Sequence, residues 1–186
     1  MGTRKFNGTE AARAFARWIG STLYRVGYLL GSSTAASTAL AGTQEADTAF
    51  DVSHTIPAGS LVAGSVIRIR AQGIHTATTG AETHTMALKI GTTTIAAKAA
   101  IDPANSDVFY FDLVLTARTV GAGGTMVGAG VMAFGASGTG AATVVALAST
   151  ALDTTVDQAV AVWIDRQAVA TDGDSARLDL LVVTVE

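Results

Sequence analysis

The sequence predicts a mainly β fold, an antiparallel jelly-roll β-sandwich preceded by an N-terminal helical arm. From residue 47 onward, apolar residues alternate with polar ones in short runs, and no helical pattern separates these runs. The chain has 20 Gly and only 2 Pro, and Thr and Ala are abundant, which suits strands joined by tight turns. Charged residues make up 15% of the chain, below the roughly one quarter usual in soluble domains. A surface so poor in charge either meets other protein or is covered by small neutral side chains.

Residues 1–31 are predicted to form the helical arm. Thr9 is suited to cap the start of the helix, because its hydroxyl oxygen can accept from an otherwise unpaired amide. Apolar side chains then recur every three or four residues and form one stripe. The stripe consists of Phe15, Trp18, Ile19, Leu23, Val26 and Leu30. Gly31 is a suitable end for the helix.

Residues 32–46 contain little besides Ser, Thr, Ala and Gly, and are predicted to be a linker or an extended arm. Residues 47–186 are predicted to form the sandwich domain, with roughly eight or nine strands. The predicted strands lie at 50–56, 66–72, 86–90, 93–97, 109–115, 126–134, 143–148, 159–165 and 178–185. Pro57 to Gly59 and Gly91 mark turns between them.

Charge is distributed unevenly along the chain. Residues 1–44 carry a net charge of +4, and the remainder carries −7. Either the basic arm docks on an acidic partner, or Arg13, Arg17 and Arg25 form the solvated face of a helix. Arg17 and Arg25 interrupt the apolar segment, so no membrane span is predicted. Aromatic and basic residues together also suit nucleic acid, but five basic residues are a weak signal, and nucleic acid is not predicted as a partner.

No arrangement typical of catalysis is present, and the chain has no Cys. The glycine-rich segment 121–130 resembles a phosphate-binding loop, but strand-like sequence follows it where such a loop needs a helix. A turn followed by a thin strand is therefore predicted. The sequence predicts a non-enzymatic protein with no catalytic residue and no cofactor.

Two parts of the sequence contain side chains that can bind metals, but metal binding is not predicted at either. His75 and His84 flank the loop 76–83, and one hypothesis is that they approach each other across a hairpin and bind a metal together with Glu82. The alternative is that both are polar loop residues in solvent, whereas His54 is predicted to be a partly buried strand residue. Several aspartates towards the C-terminus suggest calcium, but the ligand run and closing Glu of an EF-hand are missing. These aspartates are Asp153, Asp157, Asp172, Asp174 and Asp179.

Three stretches resemble a jelly-roll module of tailed-bacteriophage structural proteins. They are TIPAGSLVAGSVIRIRAQG at 55–73, TMALKIGTTTIAA at 85–97 and FDLVLTARTVGAGGTM at 111–126. The resemblance covers residues 47–186 and implies a virion component, most often trimeric, such as a capsid decoration or cement protein, a head fibre or a tail fibre module. It implies a homotrimer bound to the major capsid protein or another virion protein, with the N-terminal extension as the anchor. The candidate anchoring residues are Arg13, Phe15, Arg17, Trp18, Leu23 and Arg25.

Two other functions remain open at this point. A tail fibre, or a receptor- or carbohydrate-binding module, would use loops between strands and exposed aromatic side chains. Tyr110 and Trp163 are the sole Tyr and Trp of residues 47–186, and both lie in predicted strands, which counts against sugar binding. An enzyme of the cupin type needs closely spaced His ligands, and His54, His75 and His84 lack that spacing.

Overall fold

The computed structural model describes residues 28–41, 47–76, 83–101, 105–135, 141–166 and 175–186, which form an all-β sandwich of two antiparallel sheets. The predicted β-sandwich is thus confirmed, and its two antiparallel sheets are consistent with a jelly roll. The strands are β1 (Tyr28–Ser32), β2 (Leu40–Ala41), β3 (Thr48–Ile56), β4 (Val66–Thr76), β5 (His84–Ile90), β6 (Thr93–Ile101), β7 (Val108–Thr119), β8 (Thr125–Gly135), β9 (Ala141–Ala151), β10 (Gln158–Arg166) and β11 (Ser175–Val185).

One sheet has seven strands, in the order β1-β11-β4-β7-β8-β9, with β2 also paired to β11. The other has four strands, in the order β3-β10-β5-β6. The connections β5–β6, β7–β8 and β8–β9 are hairpins within a sheet, whereas β3–β4, β4–β5, β6–β7, β9–β10 and β10–β11 cross from one sheet to the other. Strands β1 and β9 lie at the edges of the first sheet, and β3 and β6 at the edges of the second.

The core lies between the sheets and is filled by the alternating side chains that the sequence pattern predicts. In β4, Ile67 and Ile69 are fully buried while Arg68 and Arg70 are exposed, because successive side chains of a strand point to opposite faces. Phe rings extend the core across both sheets. The ring centroids of Phe50 in β3 and Phe109 in β7 lie 6.0 Å apart.

The predicted helix is wrong at its C-terminal end, because Tyr28–Ser32 is strand β1. Tyr28 is registered with Val185 of β11, and Ser32 with Val182. The backbone groups along the free side of β11 pair with these residues, and this tertiary pairing overrides the helical spacing of the local sequence. The rest of the predicted helix, including the capping Thr9, lies outside the described residues.

The segment after β1 is an extended arm that is hydrogen-bonded to the sandwich. The amide of Ser33 donates to the carbonyl oxygen of Leu181 at 2.9 Å, and the amide of Ser37 donates to that of Leu178 at 2.7 Å. In return, the Leu178 and Leu181 amides donate to the hydroxyls of Ser37 and Ser33, each at 2.9 Å. Residues 33–41 thus extend along the sandwich, and within the described residues the first strand of the seven-stranded sheet is Tyr28–Ser32.

The two ends of the sandwich differ. At one end, short turns are joined by hydrogen bonds around the loop from β9 to β10. The amide of Gly121 donates to the Thr154 hydroxyl at 2.7 Å, and the amide of Gly59 donates to the Thr154 carbonyl oxygen at 2.8 Å. At the opposite end, β4, β6, β8 and β10 finish and β5, β7, β9 and β11 begin.

Candidate functional site

The outer face of the seven-stranded sheet is apolar over β8 and β9 and at Val114 of β7. Val131 of β8 stands directly beside Val144 of β9, and Ala129 stands between Val114 of β7 and Ala146 of β9. Val144 is 78% exposed, and Val114 and Val131 are each 36% exposed. We call this surface the Val144 face. It consists of Val114, Val127, Ala129, Val131, Ala133, Ala142, Val144 and Ala146.

Charge stops abruptly at the border of the Val144 face. On the neighbouring strands the same outer surface carries ion pairs, between Arg70 and Asp112 at 3.2 Å and between Arg68 and Glu186 at 3.1 Å. Between Arg118 and Asp153 the sequence contains no Asp, Glu, Lys, Arg or His. This uncharged stretch is the signal that the strand-by-strand sequence analysis missed.

The edge strand β9 belongs to the same uncharged stretch. Its sequence, AATVVALASTA, has no charge and no Pro. Natural edge strands are usually protected by charged side chains, Pro or bulges, because their free backbone groups can pair with another chain. The edge strands of the four-stranded sheet carry charge, with Lys98 in β6 and Asp51 in β3. The Val144 face and the β9 edge therefore form one continuous surface suited to contact with protein.

A buried basic cluster lies at the end of the sandwich where β4 and β10 finish. The rings of His75 and His84 lie 5.5 Å apart, and both side chains are 1% exposed. The two rings are close, as the metal hypothesis required, whereas the alternative that both are polar loop residues in solvent is wrong. The strands extend further than the alternation suggested, so the rings meet between the sheets, His75 from β4 and His84 from β5.

Arg166 and Phe109 complete this cluster. Arg166 is fully buried, is registered beside His84, and donates from Nη2 to the Leu40 carbonyl oxygen at 2.7 Å. The Phe109 ring lies edge-on to His75 at 5.3 Å. Burial, followed by electrostatic repulsion from His84 and Arg166, lowers the pKa of His75 from 6.5 to about 3. His75 is therefore neutral at pH 7.

Among the described residues, no group of three or more His, Asp or Glu side chains is arranged to hold a metal ion. Glu82, Asp172 and Asp174, which the metal hypotheses invoked, lie outside them. Asp157 instead accepts the Ala58 amide at 2.8 Å. Asp153 accepts from the hydroxyl and amide of Thr155, which lowers the pKa of its carboxyl group.

A shallow polar cleft of about 360 Å³ lies between the extended arm and β3. Asp51 accepts from the Thr38 amide with both carboxylate oxygens at 3.1 Å, and hydrogen bonding from Thr38 lowers its pKa. His54 is half-buried, as predicted, and its Nε2 lies 3.1 Å from the Leu181 carbonyl oxygen. The polar groups of this cleft tie the arm to the sandwich.

The two aromatic residues considered for sugar binding lie in strands, as predicted, but their surroundings differ. Trp163 in β10 is half-buried beneath Lys89, whose Nζ is 4.4 Å from the ring centroid. Tyr110 points outward from β7 beside Gln72, and its hydroxyl donates to Asp112 at 3.0 Å. The alternation of β7 places this ring on the solvent side.

The predicted anchoring residues all lie in residues 1–27, outside the described part of the chain. They are Arg13, Phe15, Arg17, Trp18, Leu23 and Arg25. Across the described ranges, no helix is long and apolar enough to cross a membrane.

Comparison with known proteins gives no family for this chain. No protein-family model matches it, and no curated protein matches it. Among solved structures, lectin UEA-II complexed with galactose is similar with a TM-score of 0.47 and 6% sequence identity, covering 87% of this chain and 98% of the lectin chain. The galactose belongs to that lectin, and a likeness at this level does not indicate a ligand for this chain.

Proposed function

We propose that this chain is a non-enzymatic structural protein of a bacteriophage virion, a trimeric capsid decoration or head-fibre protein. The observation that supports this proposal most is the Val144 face, an exposed apolar surface continuous with the uncharged edge of β9. Surfaces of this kind mark sites of contact with protein, because apolar area in water is unfavourable by about 25 cal/mol per Å². The resemblance of residues 47–186 to phage jelly-roll modules supports the virion as the place where the protein works.

The proposed anchor is the N-terminal segment. Phe15, Trp18 and Leu23 would bury their apolar side chains against the major capsid protein or another virion protein, and nearby arginines would meet acidic groups there. The described chain starts at Tyr28 in β1, at the opposite edge of the seven-stranded sheet from β9. Anchoring and contact between copies would therefore use different edges of the sandwich.

Immunogold electron microscopy tests the location. An antibody raised against the chain is applied to purified particles from the phage that encodes it. Gold on heads is the expected result. Gold confined to tails would favour the tail-fibre alternative, and particles without gold, in a lysate where immunoblotting detects the free chain, would overturn the virion proposal.

One observation favours a receptor- or carbohydrate-binding module as the second candidate. Tyr110 presents a partly exposed ring on the outer face, next to the side chains of Gln72 and the Arg70–Asp112 ion pair. Aromatic rings flanked by hydrogen-bonding groups are suited to sugars, whose faces are apolar and whose edges are polar. A glycan array tests this second candidate. Binding of the wild type to a glycan that Tyr110→Ala loses and Thr116→Ala keeps would support it. If the wild type binds no glycan on the array, the candidate is contradicted.

A further inference from the structure

The buried basic cluster joins both sheets and the extended arm at one end of the sandwich. His75 comes from β4 of the seven-stranded sheet, whereas His84 and Arg166 come from β5 and β10 of the four-stranded sheet. Arg166 also reaches the arm, because its Nη2 donates to the carbonyl oxygen of Leu40 in β2. Leu40, Ala176 of β11 and His75 lie in one row across the seven-stranded sheet. A change of charge in the cluster therefore acts on both sheets and on the arm at once.

The groups around His75 favour its neutral form. The ring faces His84 from β5 and Arg166 from β10, and both oppose a positive charge on it. Neither ring nitrogen of His75 has a hydrogen-bond partner among the described residues. Asp107, in the loop before β7, is buried at the same end, and its carbonyl oxygen accepts from the His75 amide at 2.7 Å. The pKa of His75 is lowered all the same, so the basic groups outweigh this carboxyl group. The other elements around the cluster present apolar side chains, namely Leu40 of β2, Ile101 of β6, Phe109 of β7 and Ala176 of β11.

A proton on His75 is unfavourable while this end of the sandwich stays closed. Burying an unpaired charge costs far more than burying the neutral imidazole, and positive groups nearby add repulsion. Water that enters the cluster would solvate the charged ring and weaken the repulsion, because charges interact much more weakly in water than in a protein interior. Protonation of His75 therefore favours any conformation in which this end is open to water.

The arm closes this end of the sandwich with a short pairing. Strand β2 has only two residues, and it pairs with Ser175 and Ala176 at the start of β11. Ahead of it, Ser37 is held by its amide and its hydroxyl, which bond to the carbonyl oxygen and the amide of Leu178. Segments with short pairings and little buried apolar surface open at lower free energy than a core. Opening is therefore expected at β2 and the neighbouring strand ends before the rest of the sandwich unfolds.

We infer that the buried basic cluster is an acid-sensitive switch, which keeps β2 on the sandwich at neutral pH and releases it when His75 is protonated. The release is local, because the rest of the sandwich stays folded, and it does not depend on the proposed virion role. The pKa of the ring is about 3 in the closed protein and 6.5 when the ring is solvated. The ratio of opened to closed protein therefore rises about 100-fold between pH 7.5 and pH 4.5.

Two buried serines provide a matched test, because the chain has no Cys and each Ser→Cys variant carries a unique thiol. Ser37 lies in the arm and Ser65 at the opposite end of the sandwich, and they are 5% and 4% exposed. Each hydroxyl accepts a backbone amide, that of Leu178 for Ser37 and that of Val62 for Ser65. The full chain is labelled with dithiodipyridine at pH 7.5 and 4.5, and each rate is divided by that of glutathione at the same pH.

Acidification is expected to raise the relative labelling rate of Ser37→Cys by up to about 100-fold and to leave that of Ser65→Cys nearly unchanged. Adding His75→Leu to Ser37→Cys should remove most of this rise, because the titrating ring is gone. Near-UV circular dichroism at both pH values verifies that each variant is folded. If Ser37→Cys is already labelled freely at pH 7.5, hydrogen exchange of the wild type gives the same comparison, between the amides of Leu178 and Val62.

Three results would overturn the inference. Equal acceleration at both positions would mean that acid unfolds the whole sandwich rather than its one end. No acceleration at either position would mean that this end stays closed when the pH falls. The same acceleration of Ser37→Cys with and without His75→Leu would mean that another group triggers the opening.

Discussion

Acidification should destabilise this protein through one buried imidazole, that of His75. Its pKa in the folded protein is about 3, because burial and the nearby His84 and Arg166 oppose a positive charge there. In the unfolded chain the same group has its ordinary pKa of 6.5. Between these two pKa values the unfolded state therefore binds a proton that the folded state does not bind. The free energy of unfolding falls as the pH drops from 6.5 towards 3.

The magnitude follows from these two pKa values. At pH 4.5 the imidazole is protonated in the unfolded chain and still neutral in the folded one. The free energy of unfolding is then lower by RT ln(1 + 10²), about 3 kcal/mol, whereas the same term is below about 0.1 kcal/mol at pH 7.5. For a domain of this size, such a loss is a substantial part of a total of about 5–15 kcal/mol.

Urea denaturation monitored by tryptophan fluorescence, at pH 7.5 and 4.5 and at one low protein concentration, measures this loss. His75→Leu removes the titrating group, so its loss on acidification should be smaller than that of the wild type by about 3 kcal/mol. Carboxyl groups such as those of Asp51 and Asp153 are present in both the wild type and His75→Leu, so their contribution to the loss of stability cancels when the two are compared. Ile67→Val, a core variant that leaves His75 in place, should lose as much stability as the wild type.

The reasoning would be refuted if His75→Leu and the wild type lost the same free energy between the two pH values. That result would mean that the folded protein accepts the proton, so that the contacts of His75 with His84 and Arg166 do not hold it neutral.

Two further predictions concern single contacts. Gly130→Ala should lower the free energy of unfolding by about 1–3 kcal/mol, because the added methyl group would collide with the Asp112 carbonyl oxygen of β7. Gly123→Ala is the control, because its methyl group would meet nothing within 4 Å and should change the stability little. Urea denaturation of both variants measures the difference. Thr154→Val should lower the free energy of unfolding by about 1–3 kcal/mol. The buried hydroxyl of Thr154 accepts a hydrogen bond from the Gly121 amide at 2.7 Å, which a valine methyl group cannot accept. An unchanged thermal midpoint would contradict this prediction.

The strands of the sandwich could be predicted because alternation is a local property. Phe109, Phe111, Leu113 and Leu115 are all buried in β7, as their spacing indicates. In contrast, β1 was not predicted, because Tyr28–Ser32 is a strand only through its pairing with β11, about 150 residues later in the chain. Pairing between such distant segments leaves no periodic signal in either of them.

The candidate sites were predictable to different degrees. The proximity of His75 and His84 was part of the metal hypothesis alone, which was not predicted. Their burial was not predicted either, because it depends on two strands from different sheets extending past the alternating residues. The Val144 face was missed because Gly and Ala weaken the alternation in β8 and β9, although the uncharged stretch between Arg118 and Asp153 was visible. The proposed anchoring residues remain predictions.

The position of β1 also determines how the domain would bear a mechanical load. If residues 1–27 hold the protein on a particle, any pull on the domain enters at Tyr28. A force perpendicular to β1 would open its pairs with β11 one at a time, whereas a force along the strand would load all of them together, from Tyr28 to Ser32. The hydrogen bonds of Ser33 and Ser37 to β11 lie next in line, ahead of β2 and the core. The pairs of β1 and the hydrogen bonds of the extended arm would thus break one after another before the core is loaded. The angle at which the protein is attached determines whether the pairs of β1 open singly at low force or together at higher force.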